Sequence, residues 1–495
     1  MQHKKLTGSD GSKINKQNED GASVGKPSTE PFVVKSFSSG DFRSSPNVLP
    51  AAPKARQKRR LWLKITLASV VLLLVVGGVM AAKTYLSLRK VVQKREGVAA
   101  PALAKEVTPA TLKGEGDGRV NVLLLGKGDA GHAGEELTDT IMVASYDVKN
   151  NQVALLSIPR DLYVKIPGVG WDKINSANAY GQQTKQTGGP ELVKQTVSKI
   201  LDVPVHYYVL VDFSALRQSV DAVGGIDNIV VEQDLYDPEY PCDNNESRSC
   251  GFRLKAGTYN MDGATALKYS RCRKGDCGDD YGRAKRQQQV LMALREKALK
   301  QSILTDPGKI LNMINIVSNN IKTDLQPSEI QRLGSIAKDL NPKDVTNQVL
   351  DVDNNGLVKN AAIGNASVVV PAAGIGEYSD IQAFVRTLFV DGYIKAEGAS
   401  VQIDNASSQS ALAVKVASLL KSYGYNVIKT VSADKVAKTA IVDCTNGGKP
   451  YTLQYLQNRF GVAPQACPQT GSGAPPPADI RIILGGNYYQ SQRSN

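Results

Sequence analysis

The sequence predicts a layered α/β protein: one transmembrane helix followed by an α/β/α domain and a smaller α/β domain. Three observations lead to this prediction. Strands and helices alternate from residue 119 onward, which is typical of α/β layers. The composition changes near residue 395, where a second, smaller set of strands and helices begins. An uncharged apolar run from Ile65 to Ala82 precedes both sets and is long enough to cross a bilayer.

The apolar run is extended by Leu61, Trp62 and Leu63, which predicts a transmembrane helix over residues 61–83. The alternative is a cleaved signal peptide, but its apolar core is typically shorter and closer to the amino terminus. Residues 1–60 are rich in Ser, Gly, Lys, Asn and Pro, which predicts a disordered tail. Lys and Arg flank the run on both sides, so the positive-inside rule only slightly favours a cytoplasmic amino terminus.

The positive charge of the chain is concentrated near its start. The net charge is +13 over 495 residues, and residues 1–60 hold twelve Lys and Arg against five Asp and Glu, an excess of seven. The remainder is only mildly basic. Whole-chain charge is therefore weak support for nucleic-acid binding.

The cysteines begin only at residue 242 and fall as near neighbours. An even set of close pairs beyond a membrane span indicates disulfides in an oxidising exterior. The alternatives are six free thiols or a metal site, but there is no CxxC motif and only three His, which disfavours zinc. Spacing and domain membership predict the pairs Cys242–Cys250, Cys272–Cys277 and Cys444–Cys467. We therefore expect a single-pass cell-membrane protein with an extracellular folded region and a cytoplasmic amino terminus.

The elements of the larger domain follow a linker predicted over residues 84–117. "RVNVLLLG", "DTIMVASYDV" and "QVALLSIP" are predicted strands because they are apolar and β-branched. "GPELVKQTVSKILDV" is an amphipathic helix, "VHYYVLVDF" a strand, "SALRQSVDAVGG" a helix, "IDNIVVE" a strand, and a long helix starts at Arg283. This domain is predicted to span residues 118–393.

The smaller domain is predicted over residues 394–489. "ASVQIDNA", "YNVIKTVS", "TAIVDC" and "ADIRIILGG" are its predicted strands. "SQSALAVKVASLLKSYG" and "TLQYLQNRFG" are its predicted helices, each closed by a glycine.

The glycine-rich stretch "GKGDAG", Gly126 to Gly131, matches a dinucleotide-binding pattern directly after a strand. That site requires a following helix that returns to a parallel strand. The next predicted strand begins near Thr140, which leaves room only for a loop. We therefore disfavour a nucleotide cofactor and expect the glycines to allow a tight turn at the strand end.

Charged residues collect at predicted strand ends and in "YSRCRKGDCGDDYGRAKRQQQ", Tyr269 to Gln289. Asp139 begins a strand, and Arg160 and Asp161 follow the end of another. Each could simply face solvent, or Arg160 and Asp161 could form a structural ion pair. Taken together, arginine forks suit pyrophosphate oxygens, and a nearby carboxylate holds Mg²⁺ or accepts a proton from an attacking hydroxyl.

The ordered set "NVLLLG", "LTDTIMVAS", "VALLSIPRDLYV", "KINSANAYG", "VDAVGGI", "YSRCRKGD" and "GDDYGRAKRQQQ" resembles the LytR–CpsA–Psr (LCP) family over residues 119–325. The smaller domain resembles the LytR C-terminal domain. The resemblance implies a membrane-anchored phosphotransferase that moves a glycopolymer from a polyprenyl-pyrophosphate carrier onto peptidoglycan. It also implies Mg²⁺ and an apolar tunnel for the carrier, and no nucleic-acid partner.

The resemblance assigns roles to individual residues. Asp139, Arg160 and Arg271 would be catalytic, with Asp139 and the nearby Asp129 at a Mg²⁺ site. The pyrophosphate would be held by five arginine guanidinium groups and one glutamine amide. These belong to Arg160, Arg271, Arg273, Arg283, Arg286 and Gln287. Supporting roles fall to Asp161, Asn175 and Asp280. Two departures from the family pattern affect the metal site: Leu137 and Thr138 stand where an Arg is common, and Gly128 stands where an acid is common.

Two other functions remain open from the sequence. One is a non-enzymatic module, either envelope-binding or of the transcriptional-attenuator type, that holds anionic polymer without transferring it. The other is a cytoplasmic nucleic-acid binder, which would require reduced cysteines.

Overall fold

The structure is a computed structural model that describes residues 85–132, 134–184, 188–242, 245–303, 306–352, 355–468 and 476–491. The predicted tail, 1–60, and the predicted transmembrane helix, 61–83, lie outside these residues. None of the helices in the described part of the chain is long and apolar enough to span a membrane.

The strands of the larger domain are numbered in chain order. They are β1 Arg119–Lys127, β2 Thr138–Asp147, β3 Gln152–Ser157, β4 Tyr163–Ile166, β5 Gly170–Lys173, β6 Tyr207–Val211, β7 Ile226–Val231, β8 Leu235–Asp237, β9 Pro241–Cys242, β10 Asn245–Ser249, β11 Phe252–Leu254, β12 Gly257–Met261, β13 Ile321–Thr323, β14 Val345–Val349, β15 Val358–Ile363 and β16 Ala366–Pro371. The helices are α1 Ala177–Thr184, α2 Gly189–Leu201, α3 Phe213–Ala222, α4 Gly263–Arg271, α5 Asp280–Lys300, α6 Pro307–Val317, α7 Pro327–Asp339, α8 Ser379–Leu388 and α9 Gly392–Glu397.

A six-stranded mixed sheet organises this domain, with the strand order β13-β6-β1-β2-β3-β14. β1 and β6 are parallel, as are β3 and β14, whereas β1–β2, β2–β3 and β6–β13 are antiparallel. The alternating pattern of β1 buries side chains on both faces. Leu123 and Leu125 join a core with α2 and α8, while Val120 and Val122 pack toward α7. Both faces are thus covered, in agreement with the predicted α/β layers.

The smaller domain contains a five-stranded sheet in the order β18-β17-β21-β19-β20. Its strands are β17 Ser400–Asn405, β18 Asn426–Ser432, β19 Ala440–Asp443, β20 Pro464–Ala466 and β21 Ile480–Leu484. Its helices are α10 Leu412–Ser422, α11 Pro450–Phe460 and α12 Gly486–Ser491. The sheet buries Val401, Ile403 and Ile482 in a core of its own.

The segment predicted as a linker, 84–117, is built into both domains. Ala102 and Leu103 pack with Tyr207 of β6, and Leu112 is fully buried in the core of the smaller domain. The Glu115 carboxylate accepts hydrogen bonds from the Arg459 Nε and Nη2 atoms at 2.7 and 3.0 Å. We call residues 101–118 the strap.

A buried carboxylate joins the strap to the smaller domain. Asp391 Oδ2 accepts from the Gly118 backbone N–H at 3.0 Å and from the Tyr455 hydroxyl at 2.9 Å. Burial raises the pKa of Asp391, although these hydrogen bonds oppose the rise.

Candidate active site

The arginine-rich stretch folds as a helix end, a short loop and a helix start. α4 ends at Arg271, a 3₁₀ turn covers Gly275–Cys277, and α5 begins at Asp280 rather than at the predicted Arg283. The Asp279 carboxylate caps α5 by accepting from the Tyr281 and Gly282 backbone N–H groups at 2.9 and 3.2 Å. This cap explains the earlier start of the helix.

All three predicted cysteine pairs are disulfide-bonded. The Cα–Cα distances are 4.9 Å for Cys242–Cys250, 5.6 Å for Cys272–Cys277 and 4.7 Å for Cys444–Cys467. The Cys272–Cys277 bond closes the arginine loop, whose Arg273 and Lys274 backbone N–H groups donate to the buried Asp237 carboxylate at 3.0 and 3.2 Å. The Asp237 carboxylate thus fixes the backbone of the arginine loop. No sequence pattern indicated this role.

A polar cavity of about 260 Å³ brings many of the predicted residues together. Its predicted members are Asp139, Arg271, Arg273, Arg283 and Gln287, and Lys274 also lines it. We call this the donor cavity. Four cationic side chains line it together with the carboxylates of Asp139, Asp237 and Glu239. Asp237 already accepts from the loop backbone, and the arginine forks have the geometry that suits phosphate oxygens.

Arg160 links two carboxylates at the edge of this cavity. Its Nη1 donates to Asp139 Oδ1 at 2.8 Å, and its Nε donates to Asp280 Oδ2 at 2.9 Å. Burial lowers the pKa of Arg160, but Asp139 and Asp280 outweigh burial and hold that pKa above its ordinary value. Asp161 lies 3.6 Å from Arg160 Nε and pairs at 2.7 Å with Lys173 Nζ. Arg160 therefore fixes the orientation of both acids.

Arg283 is buried at the other side of the same acids. Its Nη2 donates to the Asp139 backbone carbonyl at 2.9 Å, and its Nη1 lies 3.2 Å from Asp280 Oδ1. Burial lowers the pKa of the Arg283 guanidinium. Burial raises the pKa of Asp280, but Arg283, Arg160 and Arg273 outweigh that effect and the pKa lies below its usual value. Asp280 is consequently a structural anion that assembles three arginines.

Arg286 does not line the donor cavity. Its Nε donates to the Tyr269 carbonyl at 3.1 Å, and its Nη2 donates to the Cys272 carbonyl. Both carbonyls lie at the carboxyl end of α4, where backbone acceptors lack helical partners. Arg283 and Arg286 are three residues apart on α5, but they do not line the same cavity. The predicted contact of Arg286 with the pyrophosphate is therefore not supported by its position. Arg286 holds the end of α4, directly beside Arg271.

Arg271 is framed by aromatic rings. Its guanidinium lies 4.1 Å from the Phe213 ring centroid and 5.6 Å from that of Tyr240, and its Nη2 is 3.3 Å from His132 Nε2. Sequence reasoning missed these three neighbours. Phe213 follows the carboxyl end of β6, where α/β sheets place ligands, so that position was a usable signal. His132 and Tyr240 lie in loops far away in the sequence, and no sequence pattern indicated that they would contact Arg271.

An apolar cavity of about 150 Å³ adjoins the donor cavity. The two cavities share Thr140, Phe213, Arg271 and Gln287. Most of the remaining lining is aliphatic and comes from β1, α3, α4 and α5: Leu124, Leu125, Leu216, Leu267, Val290, Leu291 and Leu294. Lys127, Asp212 and Ser270 also line it. We call this the aliphatic cavity. A ligand with a charged head and a hydrocarbon chain would match this pair of cavities.

The remaining predicted residues lie around the cavity. Asn175 is buried; its N–H donates to the Arg160 carbonyl at 3.2 Å. The Asp129 carboxylate accepts from Ser214 N and Oγ at 2.7 and 3.0 Å and lies 3.3 Å from Arg217 Nη2. Asp129 is therefore engaged at the start of α3.

Of the two carboxylates predicted to hold Mg²⁺, Asp139 lines the donor cavity and Asp129 does not. In the described part of the chain, one cluster of three residues brings possible metal-ligand atoms within 4.8 Å of one another. It consists of Asp237, Cys272 and Cys277. Its cysteines are disulfide-bonded, so it is unsuited to a metal. Mg²⁺ commonly binds through one or two carboxylates together with substrate phosphates. One Asp139 oxygen pairs with Arg160, whereas both Asp129 oxygens accept from Ser214 and one of them also lies near Arg217.

Comparisons with known proteins agree with this architecture. The LytR_cpsA_psr family profile matches residues 84–373, and the profile described as LytR cell envelope-related transcriptional attenuator matches residues 398–488. The polyisoprenyl-teichoic acid–peptidoglycan teichoic acid transferase TagU of Oceanobacillus iheyensis is 36% identical over 219 residues, covering 43% of this chain and 61% of that protein. The alignment thus spans less than two thirds of the length of this transferase.

Two further similarities each cover about half of this chain. The regulatory protein MsrR of Staphylococcus aureus is 32% identical over 256 residues, covering 51% of this chain and 71% of that protein. The crystal structure of B. subtilis TagV is 26% identical and covers 55% of this chain and 97% of that chain, with a TM-score of 0.43. The chain belongs to the LytR_cpsA_psr family of cell-envelope proteins and carries a LytR C-terminal domain.

Proposed function

We propose that this protein is a membrane-anchored phosphotransferase that moves a glycopolymer from a polyprenyl-pyrophosphate carrier onto peptidoglycan outside the cell. The observation that carries the proposal is the donor cavity, lined by four cations and three carboxylates, which shares Arg271 with the adjoining aliphatic cavity. A lipid-linked pyrophosphate has the same two parts. The transferase name of the TagU relative supports the same activity.

The arginines would bind the pyrophosphate and offset its charge. Arg271, Arg273 and Arg283 line the donor cavity and would contact its oxygens, and the Gln287 amide would add a neutral donor. Arg160 would act through Asp139 and Asp280, whose positions it fixes. Arg286 would position Arg271 by holding the end of α4.

The transfer step balances as a displacement at phosphorus. The acceptor hydroxyl oxygen forms a bond to the glycopolymer-side phosphorus, and the bond from that phosphorus to the bridging oxygen breaks. The electron pair leaves with polyprenyl phosphate, and Asp139 takes the hydroxyl proton. In the alternative role, the Asp139 carboxylate would hold Mg²⁺ together with the substrate phosphates, the ion would offset charge on the phosphate oxygens, and the hydroxyl proton would pass to water.

The membrane arrangement is part of the proposal. Residues 1–60 would lie in the cytoplasm, residues 61–83 would cross the membrane, and residues 118–393 and 394–489 would form the catalytic and LytR C-terminal domains outside. Three disulfides in the described chain support an oxidising compartment for the folded part.

The test is transfer by the purified full-length protein in detergent, with a polyprenyl-pyrophosphate-linked saccharide as donor and peptidoglycan as acceptor. Release of polyprenyl phosphate should require Mg²⁺ and be lost on addition of a chelator. Arg271→Ala should weaken catalytic efficiency at least tenfold, because a lost charge-assisted contact costs about 1.5–3 kcal/mol. Lys322→Ala, which removes an exposed cation on β13, is the matched control and should retain activity.

A second candidate function is a regulatory envelope-binding protein, which the name of the MsrR relative favours. Such a protein would bind the lipid-linked donor without releasing polyprenyl phosphate. Binding without release in the same assay, with Arg271→Ala reducing binding, would select this candidate over the transferase.

A further inference from the structure

A second polar cleft, of about 390 Å³, opens on the far side of the arginine loop. Its lining includes Asp161, Tyr281, Asn360 and Ser367, the last two from the β15–β16 hairpin. We call it the hairpin cleft. It shares the arginine-loop residues Arg273 and Lys274 with the donor cavity, but it shares no lining residue with the aliphatic cavity. The hairpin cleft and the aliphatic cavity therefore meet the donor cavity on different sides.

The charges of the hairpin cleft are balanced. Its cations are Arg160, Arg273 and Lys274, and its carboxylates are Asp161, Asp279 and Asp280. Neutral hydrogen-bonding groups, the Asn360 amide and the Ser367 hydroxyl, complete the polar lining. A hydroxyl-rich neutral ligand suits such a surface better than a polyanion does, because there is no cationic excess to offset.

An exposed aromatic strip continues outward from this cleft along the β4–β5 hairpin. Asp161 pairs with Lys173 at 2.7 Å, and Lys173 lies opposite Tyr163 in the ladder. Tyr163 stacks on Trp171, with ring centroids 5.8 Å apart and an angle of 18° between the rings. Trp171 is 43% exposed, whereas the opposite face of the hairpin buries Val164 and Ile166.

The Trp171 ring also packs closely against the chain at Gly376. A Cβ added there would come within 3.0 Å of the ring, and the positive φ of 83° also favours glycine. The indole thus packs against Gly376 and Tyr163, while 43% of Trp171 remains exposed. A fixed, exposed indole beside the half-buried Tyr163 ring matches the apolar face of a sugar, and the Asn360 amide and Ser367 hydroxyl of the cleft match its hydroxyl groups.

We propose that the hairpin cleft and the Tyr163–Trp171 strip form the binding track of the acceptor, a polysaccharide strand whose hydroxyl enters the donor cavity past Arg273 and Lys274, toward Asp139. The proposal rests on the transferase function proposed above. An in-line displacement needs the attacking oxygen opposite the leaving oxygen. The leaving polyprenyl phosphate belongs to the aliphatic side, so the acceptor must arrive from another side, and the hairpin cleft provides that opening.

The experiment measures the two ligands separately on the full-length protein in detergent. Calorimetry gives the Kd of uncrosslinked peptidoglycan glycan strands without donor, and a second titration gives the Kd of the lipid-linked donor. The variants are Trp171→Ala and Asn360→Ala; both side chains are exposed enough to change without opening a core. Ile428→Ala, at an apolar residue that is 51% exposed in the smaller domain, is the matched control.

Trp171→Ala should weaken glycan-strand binding roughly tenfold, as expected for loss of an aromatic platform. Asn360→Ala should weaken it less, and the control should bind as the parent does. The chain has two Trp, so in a Trp62→Phe background the glycan strands should alter the fluorescence of Trp171 alone.

Three results would overturn the track. These are no glycan binding by the parent protein, equal glycan affinity in the Trp171→Ala variant, or a loss of donor affinity with glycan affinity intact. The last would assign the cleft to the donor saccharide. Glycan binding is measured without donor, so it is independent of the transfer assay. A protein that binds glycan strands but releases no polyprenyl phosphate would reject the transferase function and leave the acceptor track standing.

Discussion

Arg271 and Arg286 offer the sharpest test of the site, because they lie close together but contact different groups. Arg286 donates to two carbonyls at the end of α4, while Arg271 lines both the donor cavity and the aliphatic cavity. Replacing Arg286 with Ala leaves two buried acceptors without their charged donor. At about 1.5–3 kcal/mol for each bond, the upper limit is about 6 kcal/mol, and entry of water reduces the expected loss to about 3 kcal/mol.

The assay is a thermal melt together with a donor titration for each variant. Arg286→Ala should lower the melting temperature clearly, with weaker donor binding that follows from displacement of Arg271. Arg271→Ala should melt near the parent protein yet bind donor at least roughly tenfold more weakly, as one lost charge-assisted contact predicts. An Arg286→Ala protein of parental stability with selectively lost donor binding would refute this division and return Arg286 to the pyrophosphate site.

Three further predictions concern the loop, the metal and pH. Mild reduction of Cys272–Cys277 should weaken donor binding more than it lowers the melting temperature, since a short loop contributes little chain entropy; parental donor affinity after reduction would contradict this. Asp139→Asn should abolish the Mg²⁺ dependence of polyprenyl phosphate release along with most of its rate; release that still responds to Mg²⁺ would exclude Asp139 as the ligand. Burial, then Lys194 and Arg95, lowers the pKa of His206 from 6.5 to about 4, and its Nδ1 accepts from Asn121 N at 3.1 Å. Between pH 6.5 and 4 the His206 imidazole is protonated in the unfolded chain but not in the folded protein. The free energy of unfolding, measured by denaturant melts, should therefore fall by about 3 kcal/mol as the pH drops from 6.5 to 4. His206→Gln should flatten that dependence, and an unchanged slope would contradict it.

Most strands and helices could be predicted because their apolar residues recur at the spacing of a strand or a helix, and because glycine or proline marks where each element ends. β1 alternates between two buried faces, and α10 and α11 are followed by glycines at helix ends. The proximity of Asp139 and Arg160 was also predictable in outline, because both lie at ends of neighbouring strands. The start of α5 was placed too late because Asp279 was not considered as its cap.

The structural role of Arg286 could not be predicted from the sequence. Helical spacing places Arg283 and Arg286 on one side of α5, but it does not reveal that the end of α4 lies beside it. The strap was missed for a similar reason. Leu112 is an isolated apolar residue among prolines and glycines, so no periodicity indicated that it would be buried.

The strap has a consequence for the order in which the protein acquires its structure. Leu112 and Glu115 are made early, but their partners, including Tyr425, Tyr455 and Arg459, are more than 300 positions later in the chain. Synthesis from the amino terminus therefore leaves this part of the strap without its partners until almost the whole polypeptide has emerged. A chain that stops short of the smaller domain lacks the partners of Leu112 and Glu115, so both side chains would be exposed beside the larger domain.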